Sequence, residues 1–200
     1  MSPFEEFARR VKRDLDRLHV LWAFVGGLAV STHGYPRFTN DIDVAVAVEG
    51  DAEAERLINL LFRQGYQMLA DLERDDGRMS TARLTCPPVR GTEFVLDLIF
   101  ATTGIERDIV RRAEQRAVFP RFTAPVACLG DLIAMKLLSV SERRMKDDTD
   151  LIELLERSTP ADIETVKDAI SAIMAEGLNR GRDLGASLAE YQLRLLAGSG

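Results

Sequence analysis

Residues Asp41 to Val48 alternate without a break, with Ile42, Val44, Val46 and Val48 on one side and Asp41, Asp43, Ala45 and Ala47 on the other. A period of two marks a strand that buries one face, and it puts both aspartates on the same side. Just upstream, the apolar run Leu21 to Val25 stops at Gly26-Gly27, and Leu28 to His33 then suits a helix that Gly34 and Pro36 break. The expected unit is therefore strand, tight turn, helix, loop and a second strand that carries paired acids.

The rest of the chain is read by the same periodicities. Phe4, Phe7, Val11, Leu15 and Leu18 recur at helical spacing, with Glu5, Arg9, Lys12 and Asp16 turned outward, so a helix leads the chain. Glu53 to Phe62 reads as helix, Gln67 to Leu69 as a short strand, and Arg78 to Thr85 and Glu93 to Phe100 as two further strands around a Pro- and Gly-containing loop. Ile105 to Gln115 is expected to be helical, Ala117 to Phe119 and Pro125 to Cys128 extended, and everything after Leu129 helical with breaks near Ser158-Thr159-Pro160 and Gly181. The fold class expected is α/β (α+β): a small mixed sheet with flanking helices, followed by an all-α C-terminal lobe. The boundary falls near residue 128, and a cleft between lobes is a usual place for a ligand.

Composition narrows the classes. With 200 residues, 46% of them hydrophobic and 29% charged, the chain can bury one sizeable core or two small ones. No apolar run is long enough to span a bilayer, and the first residues lack a signal-peptide core, so a cytoplasmic protein without membrane contact is expected. Cys86 and Cys128 lack the spacing of a zinc site or a disulfide framework. A net charge of -6 argues against broad coating of nucleic acid, so any such partner must be met locally.

Two carboxylates on one face of an apolar strand repel each other and resist desolvation unless a cation neutralises them. A hard divalent ion, Mg²⁺ or Mn²⁺, suits such oxygen ligands. Asp97 is the only charge within Phe94 to Phe100 and would join the pair if its strand neighbours that of Asp41. Glycines at a strand-to-helix turn let backbone approach phosphates, while the helix N-terminus points N–H donors at them. A Gly-Gly pair alone reads better as a turn chosen for its backbone angles, and an isolated Asp-x-Asp is as often a strand start. Their combination is what specifies a nucleotide and metal site.

The stretch Phe24-Val-Gly-Gly-Leu-Ala-Val30, followed by His33-Gly-Tyr-Pro-Arg-Phe-Thr-Asn-Asp-Ile-Asp-Val44, resembles the core motif of the DNA polymerase β-type nucleotidyltransferases. Within that superfamily it is most similar to the AbiEii-type toxins of type IV toxin–antitoxin systems. The resemblance spans roughly residues 21 to 155. It implies that Gly26 and Gly27 hold the triphosphate, that Asp41 and Asp43 bind metal, and that Asp97 completes a catalytic triad. It further implies nucleotide-binding roles for Lys136 and for Lys146 and Asp147 of the later Lys146-Asp147-Asp148-Thr149-Asp150 element. Arg37 and Thr39, on the loop before the acid pair, match the family's Pro-Arg-x-Thr stretch. The commoner Gly-Ser is Gly-Gly here, which leaves phosphate binding to backbone donors. On this resemblance, residues 1–128 form the nucleotidyltransferase core and 129–200 a helical lobe.

Several of these residues have a simpler reading. Lys136 sits in an apolar helical stretch, where its ammonium either snorkels to the surface or enters the cleft. Asp147 and Asp150 precede an apolar run and could meet a helix dipole. His33, at a helix-to-loop junction, reads as structural. Arg143-Arg144 beside Lys146 is the basic cluster best placed for RNA or phosphate. An EF-hand fails because Val46 and Ala52 stand where glycine and glutamate are needed, and neither G-x-G-x-x-G nor G-K-[ST] spacing is present.

The expected activity is transfer of a nucleoside monophosphate from an NTP to a hydroxyl on RNA such as tRNA, or on protein, by a toxin-like enzyme with a possible cognate antitoxin. An aminoglycoside-type small-molecule nucleotidyltransferase, and a non-catalytic nucleotide-binding half of a toxin–antitoxin pair, are the alternatives.

Overall fold

The structure is a computed structural model that describes residues 1–34, 39–73, 77, 79–100, 103–139 and 145–198, the side chains of 73, 145–147 and 198 excepted. In chain order these form α1 (Pro3–Arg17), β1 (Leu21–Val25), α2 (Gly26–Thr32), β2 (Asp41–Ala47), α3 (Asp51–Phe62), β3 (Gln67–Glu73), β4 (Met79–Thr85), β5 (Val95–Ile99), α4 (Glu106–Arg112), β6 (Glu114–Phe119) and β7 (Phe122–Val126). Four helices close the chain: α5 (Leu129–Ser139), α6 (Met145–Glu156), α7 (Pro160–Ala175) and α8 (Leu184–Gly198). The architecture is the mixed α/β sheet and helical C-terminal part that the sequence leads one to expect.

The strands make one mixed sheet in the order β3-β4-β5-β2-β1-β7-β6. β1 and β2 run antiparallel with Val25 opposite Asp43, and β2 and β5 run parallel with Asp43 opposite Asp97. β4 lies antiparallel to β5 with Arg83 opposite Asp97. Alternation then divides the faces. Ile42, Val44, Leu84, Leu96 and Leu98 are buried on one, where Phe7 of α1 stacks on Phe94 at 5.1 Å between ring centroids. Asp41, Asp43, Arg83 and Asp97 share the other.

Besides β7, which spans Phe122–Val126 rather than Pro125 to Cys128, two elements differ from the sequence expectation. The helix expected to run to Gln115 ends at Arg112, because Ala113 takes an extended conformation and Glu114 and Gln115 pair with Val126 and Pro125 in the β6–β7 hairpin. Cross-strand pairing there outweighs a weak helical period. β3 is longer than expected, reaching Glu73 through two register irregularities against β4. Such bulges on an edge strand break the alternation by which sequence reveals it.

The helical part packs on the sheet through buried apolar residues continuous with the core, from Phe7 to Tyr191. Asp131 in the first turn of α5 is fully buried and receives both Nε and Nη2 of Arg112, at 3.1 and 2.6 Å. Gly130 lets α7 come close: a Cβ there would stand 2.7 Å from the Asp162 carbonyl oxygen and 2.6 Å from Thr165 Cβ. Thr159 and Asp162 form a capping box that starts α7, with Pro160 in its first turn. Among the described residues no helix is long and apolar enough to cross a membrane.

Candidate active site

The apolar β1 leads into α2 through Gly26, whose φ of 60° lies in the left-handed region that favours glycine. A second constraint acts at the same residue. A Cβ on Gly26 would come within 2.5 Å of Asp43 Cγ, so the turn and the Asp43 carboxylate occupy adjoining space. Gly27 donates its N–H to that carboxylate, and Ser31 Oγ donates to the Gly27 carbonyl at 3.0 Å. The Gly-Gly turn thus meets the reading of a turn chosen for its backbone angles, and it sits against the acid pair.

Parallel pairing of β2 and β5 brings Asp97 beside Asp43, with Asp41 on the same face two residues earlier. The Asp43 carboxyl is raised to about 7, first by burial and then by the charges of Asp41 and Asp97, while Lys136 and the Gly27 N–H act in the opposite direction. Among the described residues, three acids on one patch therefore leave a deficit of positive charge. Asp41 is held by Thr39, whose hydroxyl lies 2.5 Å from its Oδ1 and 3.1 Å from its carbonyl oxygen. Asp97 is held by Arg83, Nε to Oδ1 at 2.8 Å and Nη2 to Oδ2 at 2.6 Å, and the same Nη2 stands 4.0 Å from Asp41 Oδ2.

Lys136 does not snorkel. Its side chain is 12% exposed and its ammonium meets Asp150 Oδ2 at 2.8 Å, on the side from which it acts on Asp43. Asp150 lies past the first turn of α6, which begins at Met145, so the helix-start reading does not apply to it. Asp147 falls within the first turn, but its side chain and that of Lys146 lie outside the described residues, as do Arg37, Arg143 and Arg144. Asp148 instead faces α8, accepting from Tyr191 and Arg194. His33 is structural as expected: a ring nitrogen lies 3.0 Å from the Ala127 carbonyl, and desolvation lowers its pKa.

Arg83 is the site residue that sequence reasoning missed. It is the charge at the centre of β4, on the same alternation parity as Thr81 and Thr85. A buried acid on a neighbouring strand calls for such a cation, but only the strand order says which strand supplies it.

The donor set of Asp41, Asp43 and Asp97 is chemically suited to a hard divalent cation. Among the described residues, however, no group of three His, Cys, Asp or Glu side chains stands arranged to hold one as the site is.

Solved structures match this chain at low sequence identity. An antigenic nucleotidyltransferase-like protein from Paracoccidioides brasiliensis matches with a TM-score of 0.52 at 16% identity, over 90% of this chain and 88% of that one, so the two share a nucleotidyltransferase fold. The antibiotic-resistance factor ANT(2'')-Ia matches over 96% of this chain and 94% of that one, at 16% identity and a TM-score of 0.40. No curated protein sequence matches the chain. The family model described as nucleotidyl transferase AbiEii toxin, type IV TA system, matches residues 11–195. The chain belongs to this family and is a nucleotidyltransferase. The match takes in residues 11–17 of α1 and most of α8, beyond the residues 21 to 155 that carry the motifs, and it sets aside the reading of a non-catalytic binding partner.

Proposed function

We propose that the chain moves a nucleoside monophosphate from an NTP to a hydroxyl of an RNA such as tRNA, or of a protein, with Mg²⁺ or Mn²⁺ held by Asp41, Asp43 and Asp97, and that it does so in the cytoplasm as the toxin of a pair with a cognate antitoxin. The observation that carries this reading is the register of β2 against β5, which sets Asp97 opposite Asp43 on the face that also bears Asp41. When bound, a divalent ion supplies charge neutralisation for the triphosphate and activation of the acceptor hydroxyl.

The chain's own residues divide the remaining work. Gly26 and Gly27 allow phosphate to approach backbone at the start of α2, where the N–H groups of a first turn point outward. Thr39 fixes the rotamer of Asp41, and Gly27 that of Asp43. Lys136, steadied by Asp150, brings positive charge to the helical side of the site, and Arg37, Lys146 and Asp147 border the nucleotide in this reading. The acceptor oxygen bonds to the α-phosphorus, the bond from that phosphorus to the bridging oxygen breaks, pyrophosphate leaves, and the hydroxyl proton passes to solvent.

The test is direct. Purified protein with Mn²⁺ or Mg²⁺, each α-labelled NTP in turn and cell extract should label one class of macromolecule, and Asp43→Ala should abolish the label. Labelling that survives in Asp43→Ala, or none with any NTP, sinks the proposal.

A further inference from the structure

We propose that Arg83 is a displaceable counter-ion: it closes Asp97 to metal in the nucleotide-free enzyme and moves to the triphosphate when an NTP arrives with its metal. This rests on the reading of Asp41, Asp43 and Asp97 as the metal-binding acids.

Three facts lead there. Arg83 engages both oxygens of Asp97 and reaches within 4.0 Å of Asp41, so it spans two of the three acids. A divalent ion bonded to Asp97 would be brought against the guanidinium, and like charges at such separations repel strongly where solvent is partly excluded. The two partners also differ in exposure: the Asp97 side chain is 9% exposed and that of Arg83 is 49% exposed. The acid is fixed in the sheet while the base lies on it from the solvent side.

Another arginine–aspartate fork among the described residues shows the contrast. Arg112 on Asp131 is 29% exposed over a partner that is fully buried, and it ties α4 to α5. Arg83 instead stands half exposed over a patch where, among the described residues, negative charge is in surplus. A guanidinium fork binds phosphate oxygens as readily as a carboxylate, and an arm already half in solvent loses little packing in turning from one to the other. The polyanionic triphosphate both attracts Arg83 and relieves the repulsion its departure avoids. Metal and nucleotide then bind with positive coupling, because each favours the arrangement in which Arg83 has left Asp97.

The experiment measures binding rather than turnover. Mn²⁺ is titrated into the full-length protein by electron paramagnetic resonance, first alone and then with a non-hydrolysable NTP analogue, for wild type, Arg83→Gln and Arg83→Lys. Arg83→Gln should bind Mn²⁺ alone about tenfold more tightly, since a repelling charge is gone, and bind the analogue at saturating Mn²⁺ about tenfold more weakly. Arg83→Lys keeps the charge, so it should leave the metal affinity near wild type while weakening the analogue through loss of the fork. A purely structural pairing would not move the two affinities of Arg83→Gln in opposite directions. Unchanged or weaker Mn²⁺ binding in that variant, or an unchanged analogue affinity, overturns the inference. If wild type binds no Mn²⁺ even with the analogue present, or binds it then no better than Asp43→Asn does, the metal reading itself falls and the inference with it.

Discussion

The carboxylate of Asp43 occupies the space that a side chain on Gly26 would need, with Asp43 Cγ 2.5 Å and Asp43 Cβ 2.8 Å from the position of a Cβ there. The strand-to-helix turn and the acid pair are therefore one packed unit rather than two neighbouring motifs. The left-handed backbone of Gly26 adds a conformational demand to the steric one.

Gly26→Ala should consequently lose on two counts. Left-handed strain and the overlap with Asp43 together predict a loss of roughly 2–5 kcal/mol in stability. Urea denaturation followed by circular dichroism would measure it. A variant as stable as wild type would show that the turn relaxes away from Asp43.

Asp43 should make the metal-free protein less stable as pH rises. Its folded pKa, about 7, lies above the ordinary carboxylate value of 3.8. The folded state thus holds a proton that the unfolded chain has released, and the contribution is fully present below pH 4 and lost as pH climbs through 7. Because Asp43 retains some contact with solvent, the effect is discounted to roughly 1–3 kcal/mol. Asp43→Asn should therefore stabilise the metal-free protein at pH 8 and give almost no gain at pH 4, as read by thermal melting in the presence of a chelator. An equal gain at both pH values would assign the effect to packing instead.

The Lys136–Asp150 pair links α5 to α6 with both side chains largely buried. Lys136→Met should cost about 3 kcal/mol by leaving the Asp150 carboxylate without its ammonium. Adding Asp150→Leu should restore much of that stability, since an apolar pair replaces a buried ionic one. Nucleotide labelling should stay lost in the double variant, because the positive charge that acts on Asp43 is still missing. Recovered labelling would reduce Lys136 to a structural role.

Much of the core of this site was legible because its signals are local. The alternation of Asp41 to Val48 gives the shared face of two acids, the run into Gly26-Gly27 gives the turn, and a lone charge in Phe94 to Phe100 marks Asp97. Each depends on neighbours within a few residues, where side-chain period and backbone preference operate. The helix that stopped at Arg112 and the edge strand that ran on to Glu73 were misjudged for the complementary reason: pairing partners elsewhere in the chain decided where they end.

By itself, then, the sequence determined the strands, the turn and the residue types of an acid patch. Tertiary structure alone decided that β5 lies parallel to β2 with Asp97 at the level of Asp43, that β4 delivers Arg83 onto Asp97, and that Lys136 meets Asp150 across two helices. Strand order and register are set by the burial of whole faces and by hydrogen bonding between distant segments, so the balance of charge over the three carboxylates is a property of the folded sheet.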